Sequence, residues 1–211
     1  SAWYYLRYPS ARDPDAGRDV AFDPELTRRW LPVDMYVGGN EHAVLHLMYT
    51  RFTTMALHDL GYLHFEEPFR RFRANGMITK DGAKMSKSKG NVVRPDELID
   101  RYGADTVRTY LMFAGNFQEG SVFQETGIHG VLRFFDRLWR YALDEPVTRA
   151  PMDGDIARRV HVAIARVTRD LEALHYNTAI AALMELLTLL QECGCRSRSA
   201  MRVLLQLTAP F

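Results

Sequence analysis

The stretch from Val33 to Leu60 restricts the fold more than any other. Val33 to Val37 alternates as a short strand, Gly38-Gly39 closes it, and a helical pattern runs from about Glu41 to Leu60. Val44, Leu45, Met48, Phe52 and Met55 share one face of that helix. Gly61 ends it as a C-terminal cap should. Strand, glycine turn and helix in succession make one unit of a parallel α/β sheet. A second short strand is predicted at Met77 to Thr79.

The rest of the chain reads as helix. Pro95 stands at a first helical position, a helix runs to about Tyr102, and Gly103 breaks it. Another helix is predicted over about Ala104 to Ala114, then a loop from Gly115 to Gly120. From about Phe123 the pattern is all-helical. Leu132, Phe134, Phe135, Leu138 and Tyr141 form a first stripe. Residues 144–155, with Pro146, Pro151 and Gly154, read as a linker. Ile156, Val160, Ala163, Val167, Leu171 and Leu174 then recur at steps of three and four. Asn177 suits the N-cap of the next helix, whose stripe is Ile180, Leu183, Met184, Leu187 and Leu190, and Gly194 ends it. Such helices pack as a bundle. The expected class is α/β followed by all-α.

Composition sets outer limits. With 47% hydrophobic and 25% charged residues, the chain can bury a core. No apolar run is long enough to span a bilayer, and no N-terminal segment reads as a signal peptide, so no membrane partner is expected. The chain opens on Ser1 and stops at Phe211, directly after an apolar helical stretch; both ends are expected to be cuts within a longer protein. Cys193 and Cys195 are one residue apart with no second pair. They read as free thiols in a reducing cytoplasm rather than as zinc ligands. A net charge of +1 offers no whole-chain argument for nucleic acid.

The kind of positive charge is more informative. Of 27 basic residues only Lys80, Lys84, Lys87 and Lys89 are lysine, and all four fall in one short segment. Lysine is a compact point charge on a flexible stem and arginine a planar fork, so this loop does not tolerate the swap made everywhere else. The loop lies between two turn formers, Asp81-Gly82 and Gly90-Asn91. Its ammonium groups and the Ser86 and Ser88 hydroxyls suit a polyanion such as triphosphate, where fixed positive charge meets developing negative charge. A phosphate-loop NTPase fails on spacing, because Gly82 is followed five residues on by Lys87 rather than glycine.

The segment Val33 to Ala43 suggests a nucleotide crevice at the carboxyl end of a parallel strand. Gly38 and Gly39 leave room for a ribose, and Glu41 at a helix N-terminus can accept from its hydroxyls. The same glycines also serve as a simple turn. His42 and His46 are four apart, but Glu41 precedes His42, so the H-E-x-x-H zinc pattern is not met and no metal site is expected.

Lys84-Met85-Ser86-Lys87-Ser88 matches the lysine signature of class I aminoacyl-tRNA synthetases. Gly38-Gly39-Asn40-Glu41-His42-Ala43, with His46-Leu47-Met48-Tyr49-Thr50-Arg51-Phe52 after it, resembles the leucyl-tRNA synthetase family. So does the opening Ser1-Ala2-Trp3-Tyr4-Tyr5-Leu6-Arg7-Tyr8, where Ala2 replaces the commoner serine. Asn75-Gly76-Met77, Tyr102 to Arg108 and Asn177 to Glu185 agree in order.

The resemblance implies the C-terminal half of a Rossmann-like parallel-sheet catalytic domain over 1–120 and the start of a helical anticodon-binding domain over 121–211. It implies ATP-dependent activation of leucine to leucyl-adenylate and transfer to tRNA(Leu). Lys84 and Lys87 would be catalytic at the phosphates. Gly38, Gly39, Glu41, His42, Gly76, Met77, Lys84, Met85, Ser86, Lys87 and Ser88 would bind ATP, with Mg2+ accompanying it. Ser1, Tyr4 and His42 would line the leucine pocket, while Trp3 reads as core. The parent enzyme is expected to be a cytoplasmic monomer. The family's His-x-Gly-His signature and editing insertion do not occur in this sequence, so the chain alone is expected to have little or no adenylation activity. The alternative is a stand-alone tRNA-binding remnant without catalysis. Arg158, Arg159, Arg166 and Arg169 are candidates for tRNA phosphate contacts.

Overall fold

The computed structural model describes residues 2–11, 20–143 and 147–211. Pro146 of the expected linker lies outside them. The chain separates into two compact units, residues 1–76 and 77–211.

The first unit holds helices α1 (Tyr4–Arg7) and α2 (Pro24–Trp30), strand β1 (Tyr36–Gly39), helix α3 (His46–Asp59) and strand β2 (Phe72–Asn75). Asp23 caps α2 by accepting from the Glu25 and Leu26 amides, and Pro24 stands at the first position. β1 and β2 pair in parallel, from Tyr36 opposite Phe72 to Gly39 opposite Asn75. The core gathers Tyr5, Leu6, Phe22, Leu31, Leu63 and Phe65.

Two expectations change here. The strand ends in Gly38-Gly39, as expected, but Asn40–Ala43 form a 3-10 turn where helix was expected from about Glu41. The helix therefore starts at His46, after a break at Leu45 (φ −112°, ψ −91°). That shift turns a different face inward. Leu47, Thr50 and Thr54 are buried, while Met48, Phe52 and Met55 of the expected apolar stripe are 57%, 71% and 40% exposed. The Thr54 hydroxyl hydrogen-bonds Tyr5 Oη, tying the threonine side of α3 to the unit's core. Trp3, expected as core, is 47% exposed beside Phe22.

The second unit begins with β3 (Ile78–Lys80) and β4 (Ala83–Lys84). It continues through α4 (Pro95–Tyr102), α5 (Ala104–Phe113), β5 (Ser121–Val122), α6 (Glu125–Leu143), α7 (Gly154–Glu172), α8 (Tyr176–Glu192) and α9 (Arg198–Thr208). β3 lies between β4, antiparallel, and β5, parallel. The stripes expected from periodicity converge: Phe134, Leu138, Tyr141, Val160, Val167, Ile180, Leu183, Leu187 and Leu190 share one buried cluster. The N-cap of α8 is His175, not Asn177. The chain reverses at Leu174, in the left-handed region at φ 59°, and this starts the helix earlier. Among the described residues no helix is long and apolar enough to cross a membrane. Cys193 and Cys195 are free.

Candidate functional site

In the first unit the carboxyl ends of β1 and β2 lie side by side, because Gly39 is in register with Asn75. Gly76 follows directly on one strand and Glu41-His42 on the other. In parallel sheets this edge is where ligands bind. Neither glycine has a positive φ, and what a side chain there would meet is another side chain. A Cβ on Gly38 would come within 2.9 Å of the Tyr36 ring, and one on Gly39 would strike the Glu41 carboxylate. Glu41 therefore folds back over the strand end from the 3-10 turn.

Beside this edge sits an aromatic and imidazole cluster. Tyr4 Oη and His46 Nε2 share a 3.0 Å hydrogen bond. The His46 ring lies 5.6 Å from Tyr36 and 6.2 Å, edge on, from His42. Burial pushes the Tyr4 hydroxyl up to about 12, helped by Tyr36, Tyr8 and Tyr5. Burial also lowers the His46 pKa, with His42 adding to it. Both groups are thus neutral near pH 7. Nδ1 of His42 is buried and has no hydrogen-bond partner among the described residues. Ser1 lies outside the described residues.

In the second unit the lysine loop is built by local turn chemistry. Asp81 (φ 54°) and Gly82 (φ 72°) are both left-handed, as a tight hairpin turn between β3 and β4 requires. Ser86 caps a 3-10 turn over Lys87–Lys89 by accepting from the Lys89 amide, and Gly90 (φ 67°) ends it. Asn91 reaches back across the loop. Its Oδ1 accepts from the Ser86 amide at 2.9 Å, and its Nδ2 donates to the Lys84 carbonyl at 3.4 Å. Met85 points the other way, into an apolar cavity of about 170 Å3 with Ile78, Val93, Leu98 and Phe123. Lys84, Lys87, Ser88 and Lys89 are left exposed. Among the described residues none of the three lysines pairs with a carboxylate. The loop is a held set of free ammonium groups with an apolar anchor.

Known proteins resemble the chain in sequence and fold. The family described as tRNA synthetases class I (I, L, M and V) matches residues 10–122, just over half of the chain. This chain belongs to the class I tRNA synthetases. A leucine–tRNA ligase of Prosthecochloris aestuarii is 44% identical over all of the chain and 26% of its own length. One from Pseudothermotoga lettingae is 49% identical over 88% of the chain and 23% of its own length. The chain thus spans about a quarter of the length of the curated relatives it matches. Among solved structures, the agnB2 LeuRS of Agrobacterium radiobacter K84, in a ternary complex with tRNA and LeuAMS, matches with a TM-score of 0.88. It is 36% identical and covers 100% of this chain and 29% of that one. A Mycobacterium tuberculosis methionyl-tRNA synthetase, 23% identical with a TM-score of 0.59, shares the fold.

Within this synthetase chain, three residues of consequence carry roles that sequence pattern does not signal. His46 suits a packed or hydrogen-bonded helix histidine, but its partner, Tyr4, lies 42 residues away. Asn91 reads as a turn former, yet it fastens the loop. Gly120, at φ 81°, lies against Met77: a Cβ there would come 2.6 Å from the Met77 amide nitrogen. The neighbouring Ser121 amide donates to the Met77 carbonyl at 3.2 Å.

Each of the four candidate arginines has an acidic partner. Arg158 and Arg159 both pair with Asp155, at 2.5 and 3.2 Å. Arg166 pairs with Glu185 at 2.7 Å, and Arg169 with Asp170 at 3.2 Å. Only the Arg166–Glu185 pair joins two helices; Asp155 stands three and four residues before Arg158 and Arg159, and Asp170 follows Arg169 directly.

Proposed function

We propose that this chain is the part of a leucine–tRNA ligase that holds the lysine loop, one wall of the adenylate site and the first helices of the tRNA-binding bundle. Residues 1–120 belong to the catalytic domain and 121–211 to the anticodon-binding domain. The observation that carries the reading is the loop itself: Lys84, Lys87 and Lys89 exposed and unpaired on a backbone fastened at both ends. Holding three like charges together is unfavourable unless an anion meets them. The leucine specificity is supported by the names of the relatives that match throughout the chain.

In this reading ATP brings Mg2+ with its phosphates and lies with adenosine along the β1–β2 edge. Gly38, Gly39, Gly76 and Met77 give it backbone, and Glu41 and His42 give it polar contacts. Leucine lies by Ser1, Tyr4 and His42. Its carboxylate oxygen attacks the α-phosphorus, the bond to the bridging oxygen breaks, and pyrophosphate leaves with the negative charge. Lys84 and Lys87 stabilise that charge, with the Met85, Ser86 and Ser88 segment shaping the loop. The terminal adenosine hydroxyl of tRNA(Leu) then attacks the leucyl carbonyl and AMP departs. Positioning and charge supply the catalysis, and no side-chain nucleophile is required. The parent enzyme works as a monomer in the cytoplasm.

The test is leucine-dependent ATP–pyrophosphate exchange by the full-length protein. Exchange with leucine well above that with isoleucine, valine or methionine is the expected result. Preference for one of those three would place the chain with another member of the family.

A further inference from the structure

The loop between α5 and β5, Gly115 to Gly120, reaches in two directions. Asn116 closes it on itself: its carbonyl accepts from the Gly120 amide at 2.9 Å, and its Oδ1 accepts from the Gln118 amide at 2.8 Å. On one side backbone packs on backbone. A Cβ on Gly115 would come 2.7 Å from the Gly120 carbonyl oxygen, and one on Gly120 would come 2.6 Å from the Met77 amide nitrogen. Layers with no room for a methyl group between them have nothing soft to absorb a displacement.

On the other side stands Phe117, the one large apolar residue of the loop. Its ring meets Tyr176 edge on, with centroids 5.8 Å apart. Tyr176 is the first residue of α8, and that helix is firmly seated. Ala179, Ile180, Leu183 and Leu187 are all buried. The His175 amide donates to the Asp170 carbonyl at 2.7 Å and fixes where the helix begins. Phe117 therefore rests on a fixed point. The opposite end of the loop bears on Met77, which precedes β3 and whose side chain is 45% exposed. Gly120 packs against its peptide, and the Ser121 amide holds its carbonyl.

We infer that Phe117 is a positioning residue for the nucleotide: braced on Tyr176, it makes the 115–120 loop a strut that sets the Met77 backbone against adenine. This rests on the ligase reading above, in which Met77 gives backbone to adenosine. Phe117 acts through Gly120 and not on the ligand itself, so its effect falls on ATP binding rather than on the chemical step.

The experiment follows leucine-dependent ATP–pyrophosphate exchange by the full-length protein while ATP and leucine are varied in turn. Phe117→Ala is expected to raise KM for ATP by about two- to tenfold, the range that an edge-to-face ring pair can transmit. kcat and KM for leucine should stay near wild type. Phe117→Leu keeps apolar bulk but loses the ring, and should shift KM for ATP in the same direction. Phe117→Tyr keeps the ring and should keep the wild-type value. Tyr176→Leu should act like Phe117→Leu, and the two together should do no more than the larger single change, because both remove one contact. A role confined to stability gives another pattern: fewer folded molecules lower kcat and leave KM for ATP alone. That pattern, a wild-type KM for ATP in both Phe117→Ala and Phe117→Leu, or an equal rise in KM for leucine overturns the strut, while wild-type exchange keeps the ligase reading. Absence of leucine-dependent exchange in the wild type fails the ligase reading and the strut with it.

Discussion

Asn91 Oδ1 accepts the Ser86 amide at 2.9 Å and so closes the lysine loop across five residues. The bond sets the backbone from which Lys84 and Lys87 project. An ammonium group on a four-carbon stem is flexible, so the precision of its placement comes from where its Cα is held.

Asn91→Ala removes that tie and the weaker one to the Lys84 carbonyl. Overall stability should fall by only about 1 kcal/mol, the worth of exposed hydrogen bonds. Pyrophosphate exchange should fall by about tenfold, because a misplaced charge stabilises the transition state less. Hydrogen exchange should quicken in residues 84–91 and not elsewhere. Wild-type kinetics in this variant would mean the Ser86 cap, the flanking turns and Met85 hold the loop without Asn91.

Lys87→Arg keeps the charge and changes its shape. In the full-length protein the expected fall in pyrophosphate exchange is more than about tenfold, since a planar fork cannot place a point charge at the same spot. Near-normal exchange would make the confinement of lysine to this segment an accident of composition.

Gly120→Ala tests a packing role. The residue sits at φ 81°, and a Cβ would press on the Met77 backbone. Strain and overpacking together should destabilise the second unit by about 2–4 kcal/mol. The thermal unfolding midpoint should drop clearly. A midpoint indistinguishable from wild type would show that the β3–β5 connection yields freely.

The Tyr4–His46 pair carries a pH dependence. The folded state lowers the His46 pKa below its usual 6.5, chiefly through burial. The unfolded chain therefore takes up this proton first, and the contribution of the neutral pair to stability falls away as pH drops below 6.5 through the folded value. Ring NMR shifts of His46 should titrate below 6.5. Tyr4→Ala, which admits water, should move the value back toward the ordinary one, while Tyr4→Phe, which keeps the burial, should move it less. A wild-type titration at the ordinary value would remove burial as the cause.

Much of the architecture is legible from residue order because its causes are local. Asp81-Gly82 and Gly90 name left-handed turns, Pro95 opens α4, Gly103 separates α4 from α5, and steps of three and four from Val160 to Leu190 mark the buried sides of α7 and α8. These follow from backbone angles and helical periodicity, which act within a few residues. The lysine loop is visible for the same reason. What tertiary structure alone decided involves partners distant in sequence. The inward face of α3 is the Thr50 and Thr54 side because Tyr5, 49 residues away, meets Thr54. His46 gains its role from Tyr4. Arg166 is answered by Glu185, 19 residues on. Periodicity says which residues share a face; only the packing of one element on another decides what that face meets, and therefore which charges remain free to bind.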